Sequence, residues 1–495
     1  MTTPTIPPAA EYPDKLDGAV LKVAGVVVLG AIMSILDITV VSVALPTFQE
    51  AFGSTYATVA WTMTAYTLAL ATVIPMTGWA ADRFGTKRLY LAAIFLFTAG
   101  SVLCAVADSI EMLIAFRVLQ GLGGGMLLPL GMTILTRAAG PDRIGRLMAV
   151  MGIPMLLGPI AGPILGGWLI DIASWHWIFL INLPIGIIAL LYSQWVLPKD
   201  VESKAEKFDF TGMLLLSPGL ALFLFGVSSI AEGGEGASIS QRVVVSSTAG
   251  LLLIVAFVVH ALRKDDPLID LRLFRNRNLT VATVSMFVFM VAFMGAGLLF
   301  PSYFLQVRGE TTLMAGLLIA PQGIGAMITM PIAGILADKV PIGRTVPFAL
   351  ALMAVGFFGF TQVEADTSYW ILCGSLFVMG LGMGGTMMPI MTSALKTLTN
   401  HEVARGSTMV NIVQQVAGSI GTAVLSVILT NQLTATPAAG TQPLDFAAEG
   451  FAKTFMVAFV LVLFALIPVY FLPRKKEVSH LLDDEDGVAP PILMH

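Results

Sequence analysis

Two charges stand where charges are costly. Asp37 lies in the stretch SILDITVVSVALP, 34–46, inside an apolar run that begins near Lys22 and ends at Pro46. Arg117 opens RVLQGLGGGMLLP, 117–129, inside another such run. Ionisable side chains within a membrane span pair with one another or face a cavity, and they mark ion and substrate pathways. If the first run crosses outward, Asp37 lies roughly 12 Å below its outer end near Leu45. If the fourth crosses inward, Arg117 lies roughly 10 Å below the same surface. Opposite charges at one depth are expected to meet, and the protonation of such a pair depends on its hydration. The chemistry expected is proton binding and release. The alternative is a purely structural ion pair, which is a weak stabiliser.

Two glycine motifs suggest movement. GWAADRFGTKR, 78–88, falls between the second and third apolar runs. Gly78 and Gly85 are expected to permit a tight reversal. Asp82 is expected near the start of the third helix, at the positive end of its dipole, with Arg83 and Arg88 beside it. GPIAGPILGG, 158–167, places Gly158, Gly162 and Gly166 on one helical face, with Gly167 adjoining. Such a face admits a neighbouring backbone closely. Pro159 and Pro163 each remove a backbone donor and favour bending. This segment is expected to form a rocking seam. Candidate substrate contacts are the polar Tyr66, Gln120, Gln306, Gln322, Asn411, Gln414 and Gln415, with the adaptable Met290 and Met294. Met290 and Met294 share a face with Met286, and Met387, Met388 and Met391 cluster further on; ordinary packing explains any one methionine equally well. His176, His260 and His401 look peripheral and carry no assigned role.

These residues must be held by membrane helices. Of 495 residues, 56% are hydrophobic and 12% charged, about half the charge of a soluble domain. Fourteen continuously apolar segments, the first at 22–45 and the last at 452–472, are each long enough to cross a bilayer. Their continuity argues against a membrane β-barrel. The chain is therefore expected to be an all-α polytopic membrane protein. Lys and Arg gather in alternate loops, for example Arg83, Lys87 and Arg88, then Arg137, Arg143 and Arg146. This bias places both termini in the cytoplasm. The polar first nineteen residues read as a tail, not a signal peptide. Cys104 and Cys373 both sit in apolar runs, so neither a disulfide framework nor a metal site is expected. With no G-x-x-x-x-G-K-[ST], nothing points to ATP. No cofactor and no nucleic-acid partner are expected.

The chain also repeats itself. Gly78, Asp82, Arg83 and Arg88 match Gly334, Asp338, Lys339 and Arg344 at one offset. GLGGGMLLPLGMT, 121–133, is echoed by GLGMGGTMMPIMT, 380–392, at nearly the same offset. The expected organisation is a tail at 1–21, a six-helix half at 22–198 and a linker with two extra helices at 199–278. A second six-helix half follows at 279–472, then a tail at 473–495. Duplicated halves with a site between them are a secondary-transporter architecture. The two extra helices should lie outside the two-half core. Arg117 corresponds to about Phe377, so its charge is not part of the repeat.

Together these stretches resemble the major facilitator superfamily, specifically its fourteen-helix drug:proton antiporters of the QacA/EmrB type. LDITVVSVALP resembles that family's first-helix motif, GWAADRFGTKR its loop 2–3 motif, RVLQGLGGG its fourth-helix motif and GPIAGPILGG its antiporter motif. WHWIFLINLPIG, 175–186, and PLIDLRLFRNRN, 267–278, match further stretches, with His176 where arginine is usual. The resemblance implies the major facilitator fold and export by alternating access, driven by the proton gradient of a bacterial cytoplasmic (inner) membrane. It implies Asp37 as proton site, Arg117 as its partner and Asp82 as a conformational lock. The substrates implied are amphipathic or cationic hydrophobic compounds. A dedicated exporter of a lipid or lipophilic metabolite is the alternative. Partners implied are protons, the substrate and membrane lipids; whether a cell-envelope accessory protein joins is left open.

Overall fold

A computed structural model describes residues 18–139, 143–200, 208–231, 241–434 and 442–475. The first half comprises α1 (Gly18–Phe52), α2 (Tyr56–Phe84), α3 (Thr86–Ala105), α4 (Ile110–Ala139), α5 (Ile144–Ile172), α6 (Trp177–Leu180) and α7 (Asn182–Val196). Two further helices follow, α8 (Phe210–Ala231) and α9 (Gln241–Arg263). After a short 3-10 turn, Leu271–Arg275, come α10 (Arg277–Gln306), α11 (Thr312–Lys339), α12 (Ile342–Phe360), α13 (Tyr369–Gly384), α14 (Met387–Lys396), α15 (Asn400–Thr434) and α16 (Pro443–Tyr470). The described residues contain no strand. Among the described residues, thirteen helical segments are long and apolar enough to cross a membrane, and the 29-residue α5 lies where the remaining apolar segment was expected.

Two spans expected to be continuous are broken. The sixth divides into α6 and α7 at Ile181, and the twelfth into α13 and α14 at Gly385–Thr386. A proline lies just past each break, Pro184 and Pro389. A proline cannot donate to the carbonyl four residues back and its ring crowds that group; these carbonyls belong to Leu180 and Gly385, at the breaks. The first helix also runs on through Pro46 to Phe52, beyond the expected end near Leu45.

The halves share one packing scheme. In the first, α2 and α3 pack on α4, and α1 packs on α5; in the second, α11 and α12 pack on α13, and α10 on α15. Between the halves, α5 packs on α11 and α15 on α2. The extra helix α8 lies against both α2 and α15, and α9 packs on α8. Ser217 Oγ donates to Thr72 O at 2.7 Å, and Trp61 stacks on Phe225 with centroids 5.5 Å apart. Thus α8 is fastened along α2 at the flank where the halves meet.

Asp209 ties this pair down. Its carboxylate accepts from Lys264 Nζ at 2.7 Å, from Gly212 N at 2.9 Å and from Leu268 N at 3.1 Å. His260 Nε2 lies 2.9 Å away. Burial raises the carboxyl pKa, but these bonds outweigh it and hold it down to about 2. A depressed carboxyl stabilises fully above its unfolded value near 4 and loses that contribution as pH falls toward 2. We expect Asp209→Asn to lower the melting temperature in detergent at pH 6, and the gap from wild type to narrow as pH approaches 3. An equal gap at both pH values would show that Asp209 does not act through its charge.

Candidate functional site

The Asp37 site assembles from five helices of the first half. Asp37 comes from α1, Arg117 and Gln120 from one face of α4, Ser101 from α3 and Asn182 from the first turn of α7, while α2 supplies a backbone carbonyl and an aromatic ring. Arg117 Nη1 donates to Asp37 Oδ2 at 2.5 Å and to Gln120 Oε1 at 2.7 Å. Gln120 Nε2 donates to Asp37 Oδ1 at 2.7 Å, closing a ring of three side chains. Asn182 Nδ2 reaches Asp37 Oδ1 at 3.5 Å and Ser101 Oγ at 3.0 Å. The guanidinium is held further by Thr62 O, 3.0 Å from Nε, and lies 4.1 Å from the Tyr66 ring centroid. Such a placement over a ring face is attractive. Tyr66 is fixed in turn by Ser34, hydroxyl to hydroxyl at 3.1 Å.

All of this is dry. Asp37 is 2% exposed, and Arg117 and Gln120 are fully buried. The glycines of α4 make the closeness possible. A Cβ at Gly121 would meet the Tyr66 backbone, and one at Gly124 its hydroxyl. The guanidinium gives Asp37 a single donor, Nη1, and its buried Nη2 has no hydrogen-bond partner among the described residues, so a proton on the carboxylate competes directly with that one charge-assisted bond.

A second polar site lies where the halves meet, at the end of the bundle where α1 begins and α16 ends, the terminal end. Asp82 is not at the start of α3, as the sequence suggested, but in the last turn of α2. It lies 3.7 Å from Arg137 of α4 and 3.8 Å from Arg405 of α15. The start of α3 is instead capped by Asp200, which accepts from the N–H groups of Lys87 and Arg88 at 2.8 and 3.1 Å. Gly85 makes the turn between α2 and α3 with φ +87°, a conformation open to glycine. Gly78 makes no turn. It lies within α2, where a Cβ would stand 3.2 Å from Thr408 Oγ1 of α15. Arg83 and Arg88 are exposed.

The repeat reproduces this contact with the halves exchanged. Asp338, near the end of α11, accepts from Gly145 N at the start of α5 at 2.9 Å and lies 3.3 Å from Arg146 Nε. A carboxylate at a helix N-terminus meets the positive end of its dipole. Gly145 and Gly334 allow α5 and α11 to touch backbone to backbone. Thr133 and Ser407 add a hydroxyl contact of 2.9 Å. The inter-half hydrogen bonds and ion pairs found among the described residues thus cluster at the terminal end, which is closed.

The three-glycine face of α5 is not the seam expected. Cβ atoms at Gly158, Gly162 and Gly166 would run into Ile35, Thr39 and Val40 of α1, within the same half, and nothing lies near Gly167. Thr39 Oγ1 donates to Gly158 O at 3.1 Å. The seam between halves uses the other end of α5, at Gly145 and Gly152. Pro159 and Pro163 fall on helical backbone whose side chains lie outside the described residues.

The proposed substrate contacts are not gathered in one place. Tyr66 and Gln120 belong to the Asp37 site. Met290 is buried, while Met294 of the same helix is 40% exposed and Gln306 is exposed. Asn411 Nδ2 is engaged by Ser407 O at 2.8 Å. Gln322 and Gln414 are half-buried on α11 and α15. Gln415 borders a tight space among α2, α8 and α15, on the flank. Sequence reasoning passed over Asn182, Ser101 and Thr62. Asn182 carried a signal, as a lone amide inside an apolar span; Thr62 acts through its carbonyl and had none. His260, assigned no role, binds Asp209.

Comparison with known proteins identifies the family and the fold. The Major Facilitator Superfamily profile matches residues 27–422. A Mycobacterium tuberculosis protein named multidrug resistance protein B homolog is 48% identical, over 95% of this chain and 93% of its own length. The multidrug export protein EmrB of Escherichia coli is 32% identical, over 84% of this chain and 82% of its own length. Two solved structures share the fold. The human organic anion transporter MFSD10 has a TM-score of 0.61 at 17% identity, covering 91% of this chain and all of that one. The proton:xylose symporter XylE has a TM-score of 0.61 at 14% identity, covering 94% and 98%.

Proposed function

The chain belongs to the major facilitator superfamily, and on that premise we propose that this integral membrane transporter is a proton-coupled multidrug exporter. The observation that carries the proposal is the buried Asp37–Arg117–Gln120 ring. It is a titratable pair deep in one half, and the position related to Arg117 by the repeat is an uncharged one, about Phe377. The names of the relatives support drugs as cargo. With both termini in the cytoplasm, as the Lys and Arg bias suggests, the closed end is the cytoplasmic one. On this reading the arrangement is a stage of the cycle closed toward the cytoplasm, and the membrane is the bacterial cytoplasmic one.

In this reading Asp37 takes a proton from outside and gives it up inside. Arg117 competes with that proton for the carboxylate, and Gln120 and Asn182 hold the carboxylate oriented. The Asp82 and Asp338 contacts act as paired latches on the cytoplasmic face. Both must break for the halves to open inward, and both re-form when they close.

The test is transport in proteoliposomes under an imposed pH gradient, across cationic dyes, neutral drugs and lipids. Substrate-dependent collapse of the gradient by dyes or drugs supports the proposal; movement of lipids alone would favour the lipid exporter. Asp82→Asn and Asp338→Asn should each slow turnover about tenfold, equivalent to ~1.4 kcal/mol of bias on the closed state, with substrate affinity retained. Lost affinity at an unchanged turnover rate would refute the latch role.

A further inference from the structure

A basic groove lies away from the transport site, on the terminal end of the second half. Its space is about 410 Å³, between the start of α10 and the chain that leaves α16. Arg277, Arg474 and Lys475 line it, with no carboxylate among the lining residues. Tyr470, Phe471 and Leu472 form its apolar wall. The cations are arranged on fixed backbone. Gly343 N donates to Pro473 O at 3.0 Å, pinning the segment after α16 to the start of α12. A Cβ at Gly343 would collide with the Leu472 carbonyl, so the docking needs glycine there. The Arg474 guanidinium lies 4.2 Å from the Tyr470 ring centroid. The positive end of the α10 dipole adds to the field of the three cations.

We propose that this groove binds the headgroup of an anionic phospholipid. Basic pockets at the end of a helix bundle suit lipid phosphates. The groove lies where a membrane-spanning helix ends, and Tyr470 and Phe471 are 61% and 55% exposed there. Aromatic side chains favour that level of a bilayer. A lipid uses both parts of the groove: phosphate on the cations, and glycerol and first methylenes on the aromatic wall. A free phosphate would use only the cations, and the acidic stretch Asp483–Asp486 of this chain's own tail is the rival occupant that the experiment separates.

The experiment is thermal unfolding of the full-length protein in neutral detergent, titrated with phosphatidylglycerol, phosphatidylcholine or inorganic phosphate. Phosphatidylglycerol should protect the wild type best. Each cation near an anionic headgroup is worth about fivefold, so Arg277→Gln/Arg474→Gln/Lys475→Gln should lose affinity on the order of a hundredfold. The single variants Arg277→Gln and Lys475→Gln should each lose about fivefold, which keeps the test open if the triple variant does not fold. A control of equal charge on the same end, Lys199→Gln/Arg263→Gln/Lys339→Gln, should bind as wild type does. Equal loss in the control would reduce the effect to general attraction and overturn the proposal. Equal protection by inorganic phosphate would also overturn it. So would a lipid-free protein that is destabilised alike by the groove variant and by neutralising Asp483–Asp486, because the tail would then be the occupant.

Discussion

Asp37→Asn is expected to abolish proton-driven accumulation while leaving the protein folded and inserted. Coupling requires that proton and substrate favour different states or exclude each other. Among the described residues Asp37 is the buried carboxylate furthest from the terminal end; the other buried acids among them, Asp209 and Asp338, lie at that end. Its oxygens are held by Arg117, Gln120 and Asn182, so a proton arriving at Oδ2 must displace the guanidinium. Asparagine keeps the shape and still accepts from Arg117 through its carbonyl, but it does not titrate. Downhill exchange should therefore survive. The measurement is concentrative uptake into inverted vesicles with an acidic interior, wild type against mutant at matched expression. Continued accumulation by the mutant, with collapse of the pH gradient on adding substrate, would remove Asp37 from the coupling role.

The second large effect is on stability. Arg117→Ala should destabilise the protein by about 3–5 kcal/mol, the usual cost of breaking a buried ion pair from one side. Three losses coincide: Asp37 loses its counter-charge in a buried site, Thr62 O loses its donor, and the Tyr66 ring face is uncovered. The Asp37→Asn/Arg117→Ala double variant should recover part of the loss, since it leaves no uncompensated charge. Unfolding of the four proteins in one detergent gives the coupling between the two sites as a double-mutant cycle. Additive losses would mean that the two side chains do not act as a pair.

The sequence by itself determined the membrane class, the duplicated halves and the meeting of Asp37 with Arg117. Each rests on a one-dimensional signal: the length of an apolar run, a constant offset between motifs, and depth counted in residues. The tertiary structure decided what each residue touches across helices. Spacing put Gly158, Gly162 and Gly166 on one face, but the neighbour that face meets depends on how α5 is rotated, and it meets α1. Asp82 is three residues from Gly85, yet the cap on α3 comes from Asp200, more than a hundred positions on, because a helix N-terminus takes whichever carboxylate the fold brings to it. Asp338 fell just beyond an expected span and gained its meaning only when α11 met α5. The Asp37 ring needed Gln120 and Asn182 as well, and an amide announces its partners only once helices from both ends of a half are packed together.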